Sequence, residues 1–159
     1  MSRIIIIMLL GSIFLSCQQE RNPCLLPTAV NLRLKSISKF TKADTNFNRF
    51  NLIAVDGDTL KYLYFGQNNI ARFSLRLSPQ QDSCRYIIQA DSSLGLYDTL
   101  AFYYARKLQY ISDGCGYTYF FDLNKIIHTQ HQIDSIAIIN SEVNTNANTN
   151  PLEHVQIYF

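Results

Sequence analysis

The feature that most constrains this chain is a period-two alternation of apolar and polar residues, which recurs from residue 29 to the C-terminus between turn signals. Val30, Leu32 and Leu34 alternate with Asn31, Arg33 and Lys35, the pattern of a strand with one wet face. Phe50 to Val55 is apolar and ends at Asp56-Gly57-Asp58, a hairpin turn signal, after which Leu60 to Phe65 returns as its partner. Ala71, Phe73, Leu75 and Leu77 form the next set, stopped at Ser78-Pro79 because proline cannot donate to a ladder. Tyr86, Ile88 and Ala90 follow, then Leu100, Phe102 and Tyr104, with Gln109 to Ser112 as a short strand or an extension. Beyond the break at Asp113-Gly114-Cys115-Gly116 come Tyr117, Tyr119, Phe121 and Leu123. Lys125 to Gln132 shows no clean period and reads as a loop or one helical turn. Ile136 and Ile138 mark a further strand, the Asn-rich stretch Asn140 to Pro151 a solvated loop, and Val155, Ile157 and Phe159 the last strand. Eight to ten short strands with no strand–helix alternation predict an all-β fold, an antiparallel Ig-like β-sandwich. A closed barrel is the main competitor. Wet strand faces and uneven loops favour the sandwich.

The N-terminus follows a different rule. Arg3 precedes an almost unbroken apolar stretch, Ile4 to Leu15, which ends in Leu15-Ser16-Cys17 and the polar Gln18-Gln19-Glu20. Such a stretch is too short to span a bilayer with margin and reads as a secretory signal. Phe14-Leu15-Ser16-Cys17 resembles the bacterial lipobox, whose cysteine is diacylated on sulfur and becomes the first residue after cleavage; Phe14 departs from the smaller aliphatic residue usual there. The resemblance implies a signal peptide at 1–16; the polar residues after Cys17, with Pro23 and Pro27, read as a lipidated tether at 17–28, and length and strand pattern give one domain at 29–159. The lipobox resemblance also implies attachment to a membrane through acylated Cys17. Gln18 in place of Asp leans toward the outer membrane by analogy with enterobacterial sorting. It leaves the membrane face open, and Glu20 alone does not make the acidic cluster of surface export.

Composition narrows function by exclusion. The 159 residues carry a net charge of +2 with only 16% charged side chains, so there is no dense basic patch for nucleic acid. No Gly-rich phosphate loop and no GxSxG nucleophile elbow occur, and no cofactor or metal is expected. His128 and His131 stand three apart and could share a metal on a helix, but no third ligand lies nearby in sequence. His154 reads as structural or solvated. Asp56 and Asp58 fit turn chemistry, since Leu60, Tyr62 and Tyr64 fall where a calcium loop needs oxygen ligands. The stretch Tyr103, Tyr104, Tyr110, Tyr117, Tyr119 and Phe120 could offer an aromatic platform to a protein or glycan, provided Tyr103 and Phe120 are exposed and adjacent on one face. Two functions follow: a non-catalytic envelope lipoprotein acting as a binding or structural module, or a periplasmic hydrolase or metal-dependent enzyme using His128, His131 and carboxylates. Convergence of those histidines with a carboxylate in a concave site would favour the enzyme.

Of the four cysteines, Cys17 is assigned to the anchor. Cys24, Cys84 and Cys115 then allow three single bridges in an oxidising compartment, and spacing alone does not choose. The order of Cys24-Leu25-Leu26-Pro27, Asp98-Thr99-Leu100-Ala101-Phe102-Tyr103-Tyr104, Ser112-Asp113-Gly114-Cys115-Gly116-Tyr117 and His154-Val155-Gln156-Ile157-Tyr158-Phe159 resembles a family of small Bacteroidota lipoproteins of unknown function. The resemblance favours a Cys24–Cys115 bridge and supplies no activity; Cys84 departs from its pattern. The residues agree: glycines flank Cys115 and free its backbone to approach another segment, while Cys84 is in phase with Tyr86 and Ile88 and reads as a small core hydrophobe.

Mass spectrometry of the native protein is expected to find residues 1–16 removed and a lipidated N-terminal peptide beginning at Cys17. Unchanged membrane retention of Cys17→Ser would contradict this.

Overall fold

The computed structural model describes Cys24, residues 29–145 and residues 153–159. The signal-peptide, Cys17 and most of the tether assignments therefore lie outside the described residues. Ten strands are present among those described: β1 Leu32–Ile37, β2 Phe50–Asp56, β3 Thr59–Gln67, β4 Arg72–Leu75, β5 Ser83–Gln89, β6 Asp98–Ser112, β7 Gly116–His128, β8 Ser135–Ile138, β9 Glu142–Val143 and β10 Val155–Tyr158. They form an all-β sandwich with a four-stranded sheet ordered β4-β1-β10-β8 and a six-stranded sheet ordered β3-β2-β5-β6-β7-β9. All pairs are antiparallel except β1 with β10, which run parallel.

The alternating apolar sets supply the core. Leu32 and Leu34, Phe73 and Leu75, and Val155 and Ile157 from the smaller sheet meet Phe50, Leu52, Ile88, Leu100 and Phe102 from the larger one. Aromatic rings cross the layer: Phe50 of β2 lies 4.9 Å from Phe73 of β4. Two buried tyrosines also tether the β4–β5 connection. Tyr104 Oη accepts from Ser78 N–H at 2.8 Å, and Tyr86 Oη donates to the Arg76 carbonyl. The β2–β3 hairpin turns through Gly57-Asp58, with Gly57 at φ 56°, where a side chain would be strained.

One expected loop proves to be strand. β7 continues to His128, because Asn124 is an extra residue opposite the Tyr103–Tyr104 step of β6. Phe121 and Leu123 point into the core before this bulge, and Ile126 packs against it afterwards. The bulge resets the phase, so the sequence loses its period while the ladder continues. Gln109 to Ser112 is the extension of β6.

Cys24 is bridged to Cys115, with Cα atoms 4.6 Å apart, inside the range a disulfide accepts. Gly116 beside it takes φ 68°. Cys84 is free and lies opposite Phe102 on the core side of the sheet. The bridge joins positions 91 apart, for which the chain-entropy model gives roughly 4 to 5 kcal/mol. Cys115→Ser and reduction of the native chain should therefore lower the urea midpoint to the same value, while Cys84→Ala leaves the bridge in place on non-reducing peptide mapping.

Candidate functional site

The six-stranded sheet has two unlike faces, and its ladder registers define them. On the outer face one row runs Tyr62, Ile53, Ile87, Thr99, and the next Leu60, Val55, Arg85, Ala101, Ile127. Tyr103 continues the face between Ser83 and Lys125. Directly paired residues point to the same side of a sheet, so these side chains stand away from the core. Most are aliphatic or aromatic. Ile53 is only 7% exposed at the centre, whereas Leu60, Tyr62 and Ile127 are 58%, 52% and 46% exposed at the periphery. Tyr62 packs edge-on against Phe65 at 5.1 Å. Arg85 and Lys125 are exposed on this face, and neither has an ion-pair partner among the described residues. An exposed apolar patch with a few charges, Arg85 within the second row and Lys125 towards the edge, has the make-up of an interaction surface.

The sequence-predicted residues distribute as follows. Tyr103 is exposed on this face. Phe120 is half-buried and shares it, but lies opposite Lys107, four positions along β6 from Tyr103. The two aromatics are thus joined by a face and are not neighbours. Sequence reasoning missed the larger patch, although the unbroken run Leu52 to Val55 and the Tyr86-Ile87-Ile88 cluster signal strands apolar on both faces.

The histidines are placed apart in role. His131 Nδ1 lies 3.3 Å from Asp98 Oδ1, while His128 ends β7 opposite Leu100. No group of three potential metal ligands occurs among the described residues. Asp98 is 1% exposed, and its carboxylate is occupied by loop 129–133. Oδ1 accepts from Thr129 Oγ1 at 2.7 Å and His131 N–H at 2.8 Å; Oδ2 accepts from Gln132 N–H at 2.8 Å and Ile133 N–H at 3.0 Å. Burial would raise its pKa, but these hydrogen bonds outweigh burial and hold it below the usual value. The group serves as the loop's anchor. A cavity of about 690 Å³ between the β2–β3 turn and the β4–β5 connection is lined by Asp56, Arg76, Gln81 and Cys84. Burial pushes the Cys84 thiol up to about 11, so it stays protonated and weakly nucleophilic at neutral pH.

His154 is buried beside β1. Its Nδ1 accepts from Arg33 N–H at 3.0 Å, and its N–H donates to the Arg33 carbonyl at 2.9 Å. Burial, with the Arg33 charge second, lowers its pKa from 6.5 to about 4.

These elements define a class: an all-β two-sheet sandwich whose N-terminal segment is bridged to a long hairpin. The chain belongs to the family of unknown function DUF6452, whose model matches residues 49–159. No curated protein and no solved structure matches it.

The histidine gives a pH signature. Between pH 6.5 and about 4 the unfolded imidazole binds a proton that the folded one does not, so stability falls as pH drops through that window and this loss levels off below it. The loss is on the order of 3 kcal/mol. His154→Asn, whose carbonyl can replace the Nδ1 acceptor, should flatten urea midpoints across that window; an unchanged slope would remove His154 as the cause.

Proposed function

We propose that this protein is a non-catalytic envelope lipoprotein, anchored through acylated Cys17, that binds an acidic protein partner on the outer face of its six-stranded sheet. The observation that carries this reading is the exposed rows Tyr62–Ile53–Ile87 and Leu60–Val55–Arg85–Ala101–Ile127, in which apolar side chains stand with Arg85 and near Lys125, two cations without an ion-pair partner among the described residues. Burying these residues against a partner removes apolar area from water, and carboxylates on the partner would answer the two cations. A second copy of this chain fits poorly, since stacking the same face on itself would oppose like charges. The mixture of Leu, Ile and Val with tyrosine suits a protein surface better than a glycan, which wants aromatic platforms with polar groups between them. The lipobox resemblance and the likeness to Bacteroidota lipoproteins support the envelope location, with the outer membrane as the favoured bilayer.

The test places a photo-crosslinking residue at Ile127 in the full-length chain in living cells, with Phe40, 88% exposed on a loop, as control. A discrete adduct at position 127, absent at 40 and reduced several-fold by Arg85→Glu or Tyr62→Asp at unchanged thermal stability, is expected. Equal labelling at both positions, an adduct the mass of a second copy, or indifference to Arg85→Glu would overturn the reading.

A further inference from the structure

The β6–β7 hairpin outruns the sandwich. The β5 ladder reaches β6 only as far as Tyr103, and β9 pairs only with Phe121 and Asp122 of β7. Beyond those points the two strands pair with each other alone, Lys107 with Phe120 through to Tyr110 with Tyr117 and Ser112 with Gly116. One side of this ribbon presents Leu108 opposite Tyr119 and Tyr110 opposite Tyr117. All four are exposed, Tyr117 at 67%, and the Tyr110 and Tyr117 rings meet at 5.3 Å. An isolated two-stranded ribbon is marginal in water, and one carrying exposed tyrosines and leucine wants an amphipathic surface.

The chain itself says which surface is near. The ribbon's tip is bridged to Cys24, and Cys24 stands seven residues after Cys17, a span of at most about 25 Å fully extended. We infer that the tyrosine side of this ribbon docks at the headgroup level of the bilayer that holds the acylated Cys17. The inference rests on the lipid-anchor reading above. Tyrosine is enriched at membrane interfaces because its ring is apolar and its hydroxyl wet. Both cations of the ribbon are matched, Lys107 by Asp122 and Arg106 by Asp82, and Asp113 at its turn accepts from the Tyr110 hydroxyl. Docking therefore depends on the rings and Leu108, with little dependence on anionic lipid. The Tyr110–Tyr117 side is opposite to the side bearing Lys107 and Phe120, so the outer sheet face stays free for its partner.

The chain contains no tryptophan, so Tyr117→Trp and Tyr62→Trp each create a single reporter. Each full-length variant is purified from bacterial membranes and reconstituted in phosphatidylethanolamine–phosphatidylglycerol vesicles with and without brominated acyl chains. The reporter at 117 should be quenched several-fold more than the one at 62, and the difference should persist at high salt. Adding Leu108→Ser and Tyr119→Ser should remove most of it. An acylated protein with equal or no quenching overturns the docking and leaves the anchor standing. An N-terminal peptide without acyl groups by mass spectrometry overturns both. A reporter shielded from both bromolipid and acrylamide would assign the ribbon to a second copy or to residues 25–28, and equally overturns it.

Discussion

The four-stranded sheet depends on the insertion of the last strand between the first and the eighth. β10 pairs parallel with β1 through Leu34 and Val155 to Ile37 and Tyr158, and antiparallel with β8. Without it β4-β1 and β8 would be separate fragments, and the inner face of the larger sheet would lose its cover. A parallel neighbour needs a long crossover, and here that crossover is nearly the whole domain. Val155 and Ile157 are fully buried, and the reciprocal bonds between Arg33 and His154 set the entry to the register. Burial of a neutral imidazole is what that register requires, which explains why this histidine does not behave as a surface group.

The larger sheet divides the molecule's roles. Its inner face, from Phe50, Leu52, Ile88, Leu100 and Phe102, makes the core. Its outer face carries a second apolar layer around Ile53 that no described element covers. Polar groups that looked available for chemistry are consumed by architecture. Asp98 gives both oxygens to loop 129–133, Tyr86 and Tyr104 tether the β4–β5 connection, and the Cys84 thiol is held protonated by burial. A buried polar atom costs free energy unless bonded, and each of these oxygens has found its partner inside the fold.

Much of the fold was legible because a strand's side-chain period is two, and an apolar set in that period can only face a core. The strands at Leu32, Phe73, Leu100 and Val155 announce themselves this way, and so does the turn at Gly57. The Cys24–Cys115 pairing could be favoured from flanking glycines and a family resemblance, yet spacing left three bridges open. β7 could not be followed past Leu123, because a one-residue bulge at Asn124 exchanges the faces and erases the period. The aromatic surface was visible only as a stretch of tyrosines, which the fold splits between the outer face at Tyr103 and the opposite side of the ribbon at Tyr110 and Tyr117.

Alternation, turn residues and cysteine positions by themselves determined that the chain is all-β, where most strands begin and end, and which residues form the core. These are local properties, written in the side chains of each segment. Pairing order and direction, the parallel β1–β10 contact, the coverage of one sheet face and the exposure of the other were decided only by the tertiary structure. Every strand offers the same backbone donors and acceptors, so which strand it meets depends on the packing of the whole.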